Sequence, residues 1–168
     1  INVAGGEPQP LTTLDKSRNE ATHRWPHVLP GGKAVLFTSH TNAIEGFDKA
    51  SIEVVKLDTG ERKVVHTGGS SPRYVPSGHL VYATNNTLFA IRFDLDRLET
   101  IGQPTPVVHD VTSSSSEGST HYTFGSNGLL AYMRESANTG FHYAGTARIG
   151  TDDMAVVDPQ LRVRGVEG

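Results

Sequence analysis

The stretch FDLDRLE, residues 93–99, brings Asp94, Asp96 and Glu99 close together. Carboxylate oxygens alternating along a strand or loop end are the donors a hard cation such as Ca2+ prefers. EF-hand spacing is absent, and capping of a turn by Asp is the other reading of the same residues. A second candidate is HRWPH, residues 23–27, whose His23 and His27 are four apart. On a helix that spacing could hold zinc, but Pro26 between them interrupts any helix. Trp25 and Pro26 are therefore expected to pack on a strand. A third stretch, TSSSSEGSTH (112–121), holds serines and histidine. No G-x-S-x-G elbow accompanies it, and a Ser-rich run reads as a linker.

Composition narrows the chemistry further. The 168 residues carry a formal charge of −3 and scattered single basic residues. Without a Lys/Arg cluster to neutralise phosphates, no nucleic-acid partner is expected. No cysteine is present, which removes disulfides, thiolate metal sites and a Cys nucleophile. No run of 18 apolar residues occurs, so no membrane segment is expected. No basic stretch leads into an apolar one, so no signal peptide is expected within this chain, and the opening INVAGGEPQP reads as the interior of something longer.

The elements that must position these groups repeat. PHVLPGGKAVLFT from Pro26, PRYVPSGHLVYAT from Pro72 and YTFGSNGLLAYM from Tyr122 align without gaps. Gly32, Gly78 and Gly128 take the same turn position, at spacings of 46 and 50 residues. Short β-branched runs follow each unit, bounded by Asp, Gly and Asn, and DTGE (58–61) and TNNT (84–87) read as hairpin tips. Eighteen Gly and nine Pro favour strands and tight turns over long helices. A period near 45 residues with about four strands per unit predicts an all-β fold: a partial β-propeller of about two and a half four-stranded antiparallel blades, with a hairpin-like tail. The expected parts are a blade end at 1–14, blades at 22–70 and 71–111, a partial blade at 120–134, and a separate segment at 135–168.

Over residues 1–134 the pattern resembles the TolB-like, WD-like propeller repeat. The resemblance rests on Pro26, Pro30, Gly31, Gly32 and Val35 to Ser39, then Ile52 to Leu57, Asp58, Gly60 and Glu61. Gly31 departs from the Asp usual in that family, and the third unit lacks its Pro. The resemblance implies a non-catalytic binding or scaffold module with a small molecule or protein ligand at the blade loops. It further implies a bacterial, extracytoplasmic location. Closing such a ring takes on the order of 250–300 residues, so self-association is expected to cover the open faces. The alternative is a Ca2+-assisted hydrolase of the lactonase or esterase type, with Asp94, Asp96, Asn85, Asn86 and Asp110 as metal ligands.

The last 28 residues, FHYAGTARIGTDDMAVVDPQLRVRGVEG, differ in character. They resemble the carboxy-terminal signature of the glucose–methanol–choline (GMC) oxidoreductases: His142, Gly145, Thr146 and Gly150, with Ile149 replacing a Met, then Ala155 to Gly168. The resemblance implies that His142 is the base that takes the alcohol proton while hydride passes to FAD. No G-x-G-x-x-G turn occurs in the chain, and Gly168 lies before the point where the family's final segment, with its second active-site residue, is expected. The tail is therefore read as a transplanted fragment, its His142 inactive, with FAD not expected to bind. Flavin-dependent alcohol oxidation stands as the remote alternative.

Overall fold

A computed structural model describes residues 5–42 and 46–134. Two four-stranded antiparallel sheets make up most of it, each running through its strands in chain order. Sheet 1 contains β1 (Glu20–Val28), β2 (Ala34–Thr41), β3 (Ser51–Lys56) and β4 (Arg62–Thr67). Sheet 2 contains β5 (Ser70–Val75), β6 (His79–Thr84), β7 (Thr87–Asp94) and β8 (Glu99–Val108). Two short ribbons follow: β9 (Ser113–Ser114) with β10 (Ser119–Thr120), and β11 (Tyr122–Phe124) with β12 (Leu130–Tyr132). There is no α-helix among the described residues.

The central strands are buried on both sides, which explains their unbroken apolar runs. Side chains alternate between faces along a strand. Ala34, Leu36, Ile52 and Val54 of sheet 1 therefore point one way and meet Leu80, Tyr82, Ile91 and Phe93 of sheet 2. Leu36, Ile52 and Leu80 are wholly inaccessible, and burying each stabilises the fold by about 1.5–3 kcal/mol. On its far face sheet 2 turns Val81, Ala83 and Leu88 against Val111, Tyr122 and Phe124. Sheet 1 turns Val35, Phe37 and Val55 outward as a separate small cluster.

Gly32, Gly78 and Gly128 occupy the same turn in three places. Each has positive φ, at 63°, 80° and 81°. Each donates its N–H three residues back, to Leu29, Val75 and Gly125 respectively. The turns lead from β1 to β2, β5 to β6 and β11 to β12. A Cβ would meet no neighbour at any of them, so backbone conformation alone selects glycine there. Asn85 and Asn86, both at positive φ, make the two-residue turn from β6 to β7.

Two of the expectations are revised. The architecture is all-β and antiparallel, but two stacked sheets do not make a propeller. The Ser-rich stretch is no linker: Gly118 lies against the Phe47 ring, its carbonyl accepts a hydrogen bond from buried Ser71, and the Phe47 N–H donates to Ser115. Trp25 and Pro26 sit on β1, which is an edge strand. The register breaks between Arg24 and His27, with Trp25 at φ 58°. A bulge at an edge is where a residue without an N–H is tolerated.

Candidate functional site

The carboxylates singled out as cation ligands are put to other uses. Asp94 caps the β7–β8 turn, its Oδ1 accepting from the backbone N–H groups of Asp96 and Arg97, both at 2.9 Å. Asn85 and Asn86 lie at the opposite end of the eight-residue β7, roughly 25 Å away at strand rise. The Asn85 N–H donates to Asp48 Oδ1, the Asn86 side chain accepts from Ser113, and Asp110 precedes the Val111 N–H that donates to the Asn86 carbonyl. The five residues proposed as one Ca2+ set are thus not brought together. Among the described residues no group of three His, Asp or Glu side chains could hold a metal.

His23 and His27 are separated as well. His27 faces a cleft, where burial and then the Arg73 charge hold its pKa below the usual histidine value. His23 joins a charged cluster on the outward face of sheet 1 that composition and spacing did not reveal. Its members, Arg18, Glu20, Glu53 and Arg62, are up to 44 residues apart in sequence and meet only through strand pairing. The side chains of Glu20 and Glu53 are fully buried. Arg62 bridges them, Nη2 lying 2.6 Å from Glu20 Oε1 and 2.8 Å from Glu53 Oε2. Arg18 donates to the other Glu53 oxygen at 2.6 Å, and His23 Nε2 lies 3.0 Å from Glu20 Oε2.

The preceding segment is tied to this cluster. The Asp15 N–H donates to Glu20, Arg62 Nη1 donates to the Thr13 carbonyl, and Thr12 Oγ1 lies 2.9 Å from His23 Nδ1. Burial would raise the Glu20 pKa, but hydrogen bonds from Arg62 and Asp15 and the Arg62 charge outweigh it and hold the group at about 2. Glu20 is therefore ionised at neutral pH and is no proton donor. The cluster clamps residues 12–20 over sheet 1.

The GMC oxidoreductase family profile matches residues 77–168. The chain belongs to this family. The match begins at Ser77 in the β5–β6 turn, so the relationship reaches back well beyond the 28-residue tail. Among curated proteins, the chain is 32% identical over 154 residues to an oxygen-dependent choline dehydrogenase of Xanthomonas euvesicatoria pv. vesicatoria, covering 86% of this chain and 26% of that protein. An oxygen-dependent choline dehydrogenase of Ectopseudomonas mendocina is 55% identical over 40 residues, 24% of this chain and 7% of that one. An uncharacterised GMC-type oxidoreductase of Mycobacterium bovis is 59% identical over 32 residues, 19% and 6% of the two chains. The chain spans about a quarter of the length of the first of these relatives. No solved structure matches it.

These matches overturn two readings. A non-catalytic propeller module and a Ca2+-dependent lactonase or esterase both give way to an oxidoreductase family. The TolB-like resemblance finds no support in them, and the dismissal of FAD falls with the idea of a stray tail, since GMC oxidoreductases use that cofactor. The residues that could hold it are another matter. A dinucleotide is cradled by a glycine turn opening a helix, whose N-terminus faces the pyrophosphate. The glycine turns at residues 5–6, 31–32 and 68–69 lead into strands or loops, and no α-helix is present among the described residues. Residues 5–42 and 46–134 therefore do not fit a flavin. His142, carried by the family signature, lies outside the described residues. No helix among the described residues is long and apolar enough to cross a membrane.

Proposed function

We propose that this chain is the carboxy-terminal part of an FAD-dependent alcohol oxidoreductase acting on a choline-type alcohol. The observation that carries the proposal is the family match over residues 77–168. The choline-type substrate rests on the relatives that are oxygen-dependent choline dehydrogenases. In this reading His142 takes the alcohol proton, a role that suits an imidazole because its pKa lies near the working pH. The flavin, held by other parts of the enzyme, supplies the hydride acceptor. Residues 5–134 contribute a β-sheet scaffold.

The whole reading frame, expressed and purified, is expected to be yellow and to reduce an electron-acceptor dye when choline is added. His142→Ala is expected to lower kcat by about 10²–10⁴-fold while the flavin stays bound. A colourless protein with no alcohol-dependent dye reduction would sink the proposal. We also propose that the chain self-associates, the exposed Leu129 and Met133 beside β12 meeting a second copy, which light scattering after size exclusion tests.

A further inference from the structure

Three equivalent strands, β1, β5 and β11, end at one open cleft of about 540 Å3. Its lining includes His27, Arg73, Tyr74, Thr123, Phe124 and Ser126 and is largely apolar. Arg73 is only partly exposed. Its Nη1 donates to the Pro72 carbonyl at 2.9 Å, and no carboxylate pairs with it among the described residues. The groups that feel its charge are His27 and Tyr122, neither of them an anion. Burial drives the Tyr122 phenol further up, so it stays protonated and neutral.

This differs from the other half-buried arginine. Arg62 is matched by two carboxylates, whereas Arg73 is matched by none. A guanidinium beside an apolar wall loses hydration without an ionic partner. Its planar fork suits a carboxylate better than any point charge would. One unmatched cation balances one negative charge, which argues against polyphosphates. The volume lies in the range of small-molecule sites, and the Tyr74 and Phe124 rings offer apolar contact. Thr123 and Ser126 supply neutral donors around the charge.

We propose that this cleft binds a small organic monoanion, its carboxylate held by Arg73 and its aryl or aliphatic body lying against Tyr74 and Phe124.

The test is titration of the full chain with 3-phenylpropionate, followed by amide chemical shifts and calorimetry. Saturable shifts are expected at Thr123, Phe124 and Ser126, and the matching amide, 3-phenylpropionamide, is expected to bind at least about tenfold more weakly. Arg73→Gln and Arg73→Lys should each weaken the carboxylate by about tenfold or more, the lysine variant because it lacks the fork. Ser126→Glu, a loop substitution that supplies an internal anion, should abolish binding without touching Arg73. Arg97→Gln, at an exposed site away from the cleft, should change nothing. Equal binding of acid and amide, unchanged affinity in both Arg73 variants, or shifts scattered over the surface would each overturn the proposal.

Discussion

Sheets 1 and 2 share strand order, turn glycines and a common core, yet their outward faces are closed by opposite chemistry. Sheet 1 uses two buried glutamates, Arg62 and Arg18 to hold a preceding segment of chain. Sheet 2 uses Val111, Tyr122 and Phe124 over Val81, Ala83 and Leu88. Its polar links include the Tyr122 hydroxyl, which donates to the Ser71 carbonyl and lies 3.3 Å from that of Val81. A meander therefore does not dictate what covers it. The ionic cover is directional and fragile to loss of one member, while the apolar cover tolerates change in proportion to the area lost.

The largest expected effect follows from that fragility. Arg62→Ala leaves two buried carboxylates with insufficient cation and should cost about 3–5 kcal/mol in urea unfolding. Replacing Glu20, Glu53 and Arg62 together by apolar residues of similar volume should restore most of this. A single substitution costing no more than an exposed ion pair would erase the distinction between the two faces.

Acid should open sheet 1 first. The Glu20 pKa is lowered in the fold, from 4.5 to about 2, so its contribution is present above the unfolded value and is lost as pH falls from about 4.5 through about 2. The difference in unfolding free energy between the wild type and Glu20→Gln should shrink by about 3 kcal/mol across that window. A difference that stays constant would show that Glu20 is not held by charge.

The smallest effect belongs to sheet 2. Tyr122→Phe removes one hydroxyl from a cover that is otherwise apolar and strands the Ser71 carbonyl, which should cost about 1–3 kcal/mol with no pH dependence between pH 3 and 8. A loss matching that of Arg62→Ala would mean that this cover, too, depends on a polar keystone.

Local features of the sheets were readable in the sequence because local chemistry imposes them. Gly32, Gly78 and Gly128 announce positive-φ turns, and Asn85-Asn86 announces a two-residue hairpin. The family relationship was readable at residues 141–168, where fixed positions are dense, but its extension back to residue 77 was not, since the sheet strands carry only a β-branched pattern. Glu20, Glu53 and Arg62 looked like ordinary surface charges; their meeting depends on register across three strand pairings. Arg73 was invisible for a similar reason, because a cleft between β1, β5 and β11 has no signature along any one of them. Asp94 was legible as chemistry in two senses, and hydrogen bonds to two backbone N–H groups decided for the turn.

The rims of the two sheets carry a consequence for how the protein endures crowding and long storage. β1 holds Pro26, β5 holds Pro72 and β8 holds Pro104 and Pro106, all on outermost strands. Each removes a donor from a rim strand, which disfavours pairing with an incoming strand there. The remaining rim, β4, has no proline, but the carbonyl of Val65 is occupied by Thr100 and Lys63 is engaged by Glu99. Thr100→Val would free that carbonyl and leave residues 62–67 the rim most open to pairing with another strand.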